Sequence, residues 1–345
     1  MEDLIRAWDG EEAVVGFDRP SGTWMFVCIH STRLGPGSGG TRMRVYPSAA
    51  DGLADAMRLA GAMTLKMAAA GLPFGGAKAV LAVPAIPEGE ERRRLLLRFG
   101  DLAATLGETF KTGPDVNTSI PDMDVIGERH SHVYCRSEER GGSGDPGPYT
   151  ARGVFHGIRA SVAHAFGEPG LEGRTVLVQG VGDVGRRLAE QLAADGARVL
   201  VADVDGRRAA DVAEAVGGEV VGPETVIGKS CDVYAPCALG GTLNAGTIPS
   251  LRCRVVAGAA NNQLAEPEDA RRLREAEILY APDFVINAGG VLHAWGREAM
   301  GWDLDEVERR LAGIGATLGE IFARADSEDS STHDAAVQLA AARLR

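Results

Sequence analysis

The stretch "RTVLVQGVGDVGRRLAEQLAADG", residues 174–196, decides the fold of the second half of this chain. Residues 174–180 predict a buried strand, and residues 184–196 have the apolar spacing of a helix. The connection between them contains three glycines in G-x-G-x-x-G spacing, Gly180, Gly182 and Gly185. Between a strand and a helix, this spacing is typical of a turn that binds the pyrophosphate of a dinucleotide.

A second strand follows at residues 198–203 and ends on Asp203. A carboxylate at this position would accept hydrogen bonds from both hydroxyls of the adenosine ribose and would repel a 2′-phosphate. The sequence therefore predicts NAD as the cofactor. NADP stays an alternative because two arginines follow closely, Arg207 and Arg208.

Strands and helices alternate along the rest of the chain, which predicts a parallel, doubly wound sheet. The first third predicts an α/β domain with its own sheet. The predicted fold class is thus α/β with two domains, an N-terminal α/β catalytic domain and a C-terminal Rossmann NAD-binding domain. Loop-like composition at 136–148 and 325–333 gives the predicted bounds, which are 1–140 plus a C-terminal helix at about 326–345, and 141–325.

Composition excludes several classes of function. The 345 residues include 36 Lys and Arg against 48 Asp and Glu, a net charge of −12, so no basic excess exists to bind nucleic acid or an anionic membrane. No apolar run reaches the ~18 residues of a membrane span. The five cysteines fit no zinc or redox motif, and we expect small buried side chains in a reducing cytoplasm.

Two lysines and one aspartate stand in unusual surroundings. Lys78 follows a glycine pair and begins an apolar strand in "GLPFGGAKAVLAV", residues 71–83. Lys66 is almost the only polar side chain of its helix end, and Asp115 follows Gly-Pro. Near a nicotinamide, one lysine would grip a substrate carboxylate, the other would act as a base, and the aspartate would exchange a proton with an amine. The alternative is a structural ion cluster.

Several blocks of sequence carry a family resemblance. They include "LGPGSGGTRM" (34–43), "GAMTLKMAAAGLPFGGAK" (61–78), "TGPDVNTSIPDMD" (112–124), "VVAGAANNQLA" (255–265) and "LYAPDFVINAGGV" (279–291). Over nearly its whole length the chain resembles the glutamate, leucine, phenylalanine and valine dehydrogenases, most of all the phenylalanine enzymes. The resemblance implies a substrate cleft between the two domains, a C-terminal helix that returns to the first domain, and a homo-oligomer assembled through the first domain.

The resemblance also implies roles for individual residues. Lys66 would bind the substrate carboxylate with help from Gly40 and Asn262, and Lys78 would be the base that activates water. Asp115 and the Pro114 carbonyl would hold the substrate amine and pass on its proton. Met63 would also line the substrate site. The cofactor would contact Gly180, Gly182, Asp183, Val184, Gly185, Asp203, Cys237, Ala238, Ala259, Asn261 and Asn287.

The reaction implied is reversible oxidative deamination of an L-amino acid to a 2-oxo acid and ammonium, with NAD and without metal. The one departure from the family pattern near the lysine is Ala77 where a glycine is usual. His130 and His132 are expected at the surface, since nothing completes a metal site around them. Alternatives are a 2-hydroxy acid dehydrogenase and a non-catalytic NAD-binding homologue.

Side-chain specificity would be set at four positions, Ser38, Gly113, Val291 and Ala294. Ser38 and Gly113 are smaller than the residues of leucine-type enzymes, which favours an aromatic substrate. Val291 is shared with the branched-chain enzymes. We therefore expect L-phenylalanine or another bulky aromatic, with branched-chain amino acids and tryptophan as alternatives.

Overall fold

A computed structural model describes residues 1–168 and 170–345. The chain divides into two compact units. The first comprises residues 1–145, 294–301 and 340–345, and the second comprises 146–293 and 302–339. The assignment of a catalytic and an NAD-binding role to these units stays a prediction.

The first unit is built on a five-stranded mixed sheet. Its elements are α1 (Glu2–Ala7), β1 (Glu12–Asp18), β2 (Thr23–Ser31), β3 (Gly37–Arg44), α2 (Ala49–Ala69), β4 (Gly75–Ala82), α3 (Gly89–Ala104), β5 (Phe110–Pro114) and α4 (Ile120–Ile126). The strand order is β1-β2-β4-β3-β5. The pairs β1–β2 and β2–β4 are antiparallel, whereas β3 runs parallel to both β4 and β5.

Helix α2 covers one face of this sheet. Ser48 caps its N-terminus, since the Ser48 hydroxyl accepts a hydrogen bond from the Asp51 amide. Its apolar stripe is buried, from Leu53 and Met57 through Met67. This face packs against β2 and β4, so the helix is held by burial along its whole length.

The second unit contains a six-stranded parallel sheet. Its elements are α5 (Gly147–Phe166), β6 (Thr175–Gln179), α6 (Asp183–Ala194), β7 (Arg198–Ala202), α7 (Gly206–Val216), β8 (Glu219–Val220), β9 (Val233–Pro236), β10 (Val255–Val256), α8 (Glu268–Glu275), β11 (Leu279–Tyr280), α9 (Asp283–Ile286), α10 (Gly289–Glu298), α11 (Leu304–Ser327) and α12 (Thr332–Arg343). The strand order is β11-β10-β9-β6-β7-β8. From β6 the chain adds β7 and β8 on one side and then β9, β10 and β11 on the other, so the switch point lies between β6 and β9. This is the doubly wound arrangement predicted from the sequence, with the glycine turn at the switch point. The last residues of α10 and of α12 belong to the first unit.

Strands β3 and β5 were not predicted. Strand β3 has the sequence "GSGGTRMR" and β5 contains Gly113 and Pro114, and glycine and proline are unusual inside strands. Both strands form because their neighbours supply the pairing, with β3 central between β4 and β5. Neighbouring strands and packing thus override low strand propensity here.

The cysteines carry free thiols. Cys28 and Cys135 are buried and the other three are half-buried, so burial is complete for only two of the five. Within residues 1–168 and 170–345, no helix combines the length and apolarity needed to cross a membrane.

Phe99 on α3 tests the core of the first unit. It is fully buried among side chains of β2, β4 and α4. Phe99→Ala is expected to lower the free energy of unfolding by about 3–5 kcal/mol, because it leaves a cavity. Phe17→Ala is the matched control, since Phe17 is 44% exposed on the edge strand β1 and its tilted contact with Trp24 is worth about 1 kcal/mol. Denaturant unfolding followed by circular dichroism measures both, and equal losses would contradict the core assignment.

Candidate functional site

Strand β4 is buried at every residue and carries Lys78 in its middle. Its first residues lie tightly against their neighbours. A side chain on Gly75 would meet the Ser31 carbonyl at 1.8 Å, and one on Gly76 would meet the Thr64 amide at 2.1 Å. This close packing fixes the start of β4, and it leaves the Lys78 side chain only 4% exposed.

Asp115 is the ion-pair partner of Lys78. The Lys78 Nζ donates to Asp115 Oδ2 at 2.6 Å. Asp115 directly follows β5, and its amide donates to the Thr118 hydroxyl at 2.8 Å, which holds the turn. The two sequence-predicted catalytic residues therefore lie together in the first unit.

The second oxygen of Asp115 binds Arg42, a residue that the sequence analysis did not select. Arg42 lies on β3, and its Nε donates to Asp115 Oδ1 at 2.7 Å. Its Nη1 donates to Asp55 Oδ2 at 2.9 Å. Asp55 on α2 also accepts from the Tyr46 hydroxyl and from Arg58, both at 2.6 Å. The signal in the sequence was an arginine within "LGPGSGGTRM", one of the blocks that carry the family resemblance.

This cluster changes the protonation of its members. Burial lowers the pKa of the Lys78 ammonium; Asp115 opposes that effect, and Arg42 adds to it. For Asp115, burial favours the neutral acid, but Lys78 and Arg42 together outweigh it and bring the pKa of Asp115 well below its usual range. Asp115 is thus a carboxylate, and Lys78 is a lysine from which a proton is more easily removed.

Gly40 and Pro114 adjoin the same ion pair. A side chain on Gly40 would meet the Pro114 carbonyl at 2.8 Å and the Lys78 Nζ at 3.4 Å. Met63 contacts Gly39 of β3, and Lys66 lies one turn further along α2, half-buried. Gly40 and Pro114 therefore lie against the Lys78–Asp115 pair, and Met63 lies near the neighbouring residue of β3.

Ala77 and Lys78 are neighbours on β4. Neighbouring residues of a strand point to opposite faces. The Ala77 methyl lies on the far face, in the core cluster with Ile29 and 3.1 Å from where a side chain on Gly37 would begin. The departure from the family pattern is therefore absorbed by the core.

The space beside Gly113 is occupied by an indole. A Cβ on Gly113 would lie 3.5 Å from Cη2 of Trp295, an ordinary van der Waals contact. The Trp295 ring packs edge-on against Tyr134, with ring centroids 5.0 Å apart. Ser38 is fully buried and donates to the Pro36 carbonyl at 3.2 Å. A tryptophan from the protein itself therefore lies beside position 113, which sequence reasoning missed.

Glu298 holds the segment that carries Trp295. Its Oε1 accepts hydrogen bonds from the Cys135 amide at 2.8 Å and the Ser143 amide at 3.0 Å. Trp295 and Glu298 are three residues apart on α10 and so lie on one face of that helix. The indole is thus fixed relative to β5. Its Nε1 is buried, with no hydrogen-bond partner among residues 1–168 and 170–345.

The glycine turn of the second unit has the form that a pyrophosphate needs. Gly180 has φ +91°, a backbone conformation that favours glycine. A side chain on Gly185 would meet the Gly180 carbonyl at 1.9 Å, so α6 approaches β6 as closely as predicted. Next to Gly182, the N-cap of α6, nothing lies within 4 Å of where a side chain would begin, which leaves room for a ligand.

Asp203 follows β7 beside this turn. Its Oδ2 accepts from the Val181 amide at 2.9 Å and its Oδ1 from the Asp205 amide at 2.9 Å. Arg208 Nη1 lies 3.7 Å from Asp203 Oδ2. The carboxylate is thus oriented by two backbone amides, and its side chain is 6% exposed.

The other residues predicted to contact the cofactor lie on loops after β9 and β10, at the residue that follows α9, and at the start of α6. Cys237 and Ala238 contact Gly185 and Gly180. The side-chain Nδ2 of Asn287 donates to the Ala259 carbonyl at 3.0 Å and to Asn261 Oδ1 at 2.8 Å. Asn287 Oδ1 is buried without a partner among the described residues, so it can accept from a ligand. Asp183 and Val184 begin α6. Three residues of this unit and its neighbour were predicted to contact the substrate: Asn262 has a left-handed φ of 52°, Val291 is half-buried and Ala294 is buried.

The expected surface position of the histidine pair is wrong for His130. His130 is 1% exposed, its ring stacks on Phe110, and its Nε2 lies 3.0 Å from the Phe110 carbonyl. Burial lowers the pKa of His130 to about 4. His132 is half-buried and lies 3.3 Å from Lys111. Over the part of the chain that the structure describes, no group of three His, Cys, Asp or Glu is placed to hold a metal.

Two family models match this chain. "Glu/Leu/Phe/Val dehydrogenase, dimerisation domain" matches residues 21–132, and "Glutamate/Leucine/Phenylalanine/Valine dehydrogenase" matches residues 141–208 and 201–345. The chain belongs to the Glu/Leu/Phe/Val dehydrogenase family. It is accordingly an amino acid dehydrogenase, an oxidoreductase that acts on small molecules.

Relatives of this Glu/Leu/Phe/Val dehydrogenase align over nearly the full chain. Leucine dehydrogenase of Geobacillus stearothermophilus is 39% identical, covering 99% of this chain and 92% of the relative. Valine dehydrogenase of Streptomyces coelicolor is 42% identical, covering 97% and 92%. The crystal structure of L-tryptophan dehydrogenase from Nostoc punctiforme superposes with a TM-score of 0.82 at 36% identity, covering 100% and 98%. The recognition made from sequence is confirmed at the level of the family and of the fold.

Proposed function

We propose that this protein catalyses the NAD-dependent, reversible oxidative deamination of an L-amino acid. The reaction converts the amino acid, NAD⁺ and water into a 2-oxo acid, ammonium, NADH and a proton. The observation that carries the proposal is the buried Lys78–Asp115 pair, with Nζ and Oδ2 at 2.6 Å. A lysine whose pKa is lowered, beside a fixed carboxylate, suits proton transfer on an amine and its imine.

The roles of the residues follow from their charges. Lys66 holds the substrate carboxylate, with Gly40. The ionised Asp115 carboxylate and the Pro114 carbonyl oxygen both accept hydrogen bonds from the substrate amine. Lys78, as the neutral amine, takes the proton from the water that attacks the imine carbon; in the reverse direction its ammonium polarises the carbonyl of the 2-oxo acid.

The second unit fits NAD. The open backbone at Gly182 suits the pyrophosphate, the Asp203 carboxylate suits the ribose hydroxyls, and the unpartnered Asn287 Oδ1 suits an amide donor. When bound, NAD⁺ supplies the acceptor for the hydride from the substrate Cα. The negative charge of Asp203 disfavours the 2′-phosphate of NADP, although Arg208 lies 3.7 Å away.

The substrate is an L-amino acid with a large apolar side chain. The small residues at 38 and 113 support phenylalanine, the first choice from the sequence. The Trp295 ring beside Gly113 takes up part of that space and supports the smaller branched-chain substrates. Relatives bear the names leucine, valine and tryptophan dehydrogenase. We further propose a homo-oligomer, since the family model that matches residues 21–132 is described as a dimerisation domain. The free thiols support a reducing cytoplasm as its location.

The direct test follows absorbance of NADH with L-valine, L-leucine, L-phenylalanine and L-tryptophan, and in reverse with their 2-oxo acids and ammonium. Turnover with NAD⁺ is expected for at least one of them, with much weaker turnover with NADP⁺. NADH consumption with a 2-oxo acid but without ammonium would instead identify a 2-hydroxy acid dehydrogenase. No turnover with any amino acid would overturn the proposal.

Removal of the Lys78 amine tests the assigned base. Lys78→Ala is expected to lower kcat by about 10²–10⁴-fold, the usual contribution of a positioned base. Lys111→Ala is the matched control, because Lys111 lies on β5 of the same sheet and contacts His132 rather than Asp115. Steady-state kinetics at saturating NAD⁺ measures both variants. A Lys78→Ala protein as active as its parent would remove the proposed mechanism.

Trp295 tests how the substrate side chain is selected. Trp295→Ala is expected to raise the ratio of kcat/KM for phenylalanine to that for valine by about 10-fold or more, because each added carbon atom of room is worth about 10–200-fold. Phe17→Ala makes the same kind of change on β1, at the edge of the sheet opposite β5. The prediction fails if both variants keep the parent ratio.

A further inference from the structure

Beyond the Lys78–Asp115 pair, the cluster extends through buried charges to the surface of α2. Arg42 bridges two carboxylates, with its Nε at 2.7 Å from Asp115 Oδ1 and its Nη1 at 2.9 Å from Asp55 Oδ2. The side chains of Arg42, Asp55 and Asp115 are 9%, 13% and 13% exposed. A continuous row of alternating charges therefore connects Lys78 to Arg58, which is 53% exposed.

The charges of this row balance without the proton of Lys78. Arg42 and Arg58 are positive, and Asp55 and Asp115 are negative. A proton on Lys78 is therefore a surplus positive charge in a buried place, where an uncompensated charge is costly. If Arg42 were absent, Asp115 would have Lys78 as its only ion-pair partner in the cluster, and Lys78 would keep its proton.

The groups that face Lys78 come from four elements. They are Asp115 after β5, Arg42 on β3, Asp55 on α2, and Cys28 on β2, which is the register partner of Lys78. Burial raises the pKa of the Cys28 thiol to about 12, so this group stays neutral. Arg42 and Asp55 are thus the two charges beyond Asp115 that can be changed without touching the groups assigned to the substrate.

We propose that Arg42 and Asp55 are positioning residues of the catalytic centre, and that together they hold Asp115 in place and leave Lys78 free to release its proton. This inference rests on the proposed function. Arg42 fixes Asp115 through Oδ1, which keeps Oδ2 directed at Lys78. Asp55 neutralises Arg42, so that the strength of the Arg42–Asp115 bond is set from α2.

The test is the pH profile of kcat/KM for amino acid oxidation in four variants. R42Q removes a positive charge, so Lys78 holds its proton more strongly and the acid-side limb is expected to move up by about one pH unit. D55N removes a negative charge and is expected to move the limb down. R42K keeps the positive charge but cannot bridge both carboxylates. Its kcat/KM is therefore expected to fall, while the acid-side limb of its pH profile stays at the pH of the parent. Y46F removes one hydrogen bond to Asp55 without a change of charge and leaves the limb in place.

The substrate ionises identically in every protein, so a difference between variants reports the enzyme. Limbs that move in opposite directions in R42Q and D55N support the proposal, since a merely structural defect lowers the rate without such a pair of shifts. Limbs that coincide with the parent in both overturn it. If R42Q does not fold, D55N against Y46F decides, and no downward movement in D55N overturns it. An inactive parent would instead refute the proposed function.

Discussion

The structure of the first unit depends on the cost of burying the Lys78 ammonium. An isolated charge in that position would not persist, and Asp115, whose other oxygen binds Arg42, compensates it only in part. Asp115 in turn needs a fixed orientation, which it receives from Thr118 and Arg42. The sheet order places β3 between β4 and β5, so the strands that carry Arg42 and Lys78 and the residue after β5 adjoin one another. The topology and the chemistry therefore impose the same requirement.

The parts of the site that sequence predicted well are local ones. The glycine turn, its strand and its helix lie within residues 174–196, and their spacing alone determines the close approach of Gly185 to Gly180. The apolar stripe of α2 is local in the same sense. Lys78 and Asp115 were selected because their surroundings in sequence are unusual for charged residues, and family resemblance then supplied their roles.

What sequence could not predict depends on contacts between distant segments. Arg42 lies 13 positions before Asp55 and 73 positions before Asp115. The packing of α2 on the sheet brings Asp55 to Arg42, and the strand order brings Asp115 to it. Trp295 lies 182 positions from Gly113 (295 − 113), next to Ala294, which was predicted. The prediction that a small residue at 113 enlarges the substrate site considered position 113 without its neighbours in space. In the structure, the indole of Trp295, from another part of the chain, lies beside Gly113.

The chain passes between its two units four times, after residues 145, 293, 301 and 339. The segment 294–301 carries Trp295 and Glu298 and belongs to the first unit, although the largest part of that unit ends at residue 145. Chimeras between this protein and a relative would have to move three separate segments as one. A chimera joined only at 145 would combine one parent's Gly113 and Tyr134 with the other parent's residue at 295. Substrate preference in such hybrids would then follow neither parent.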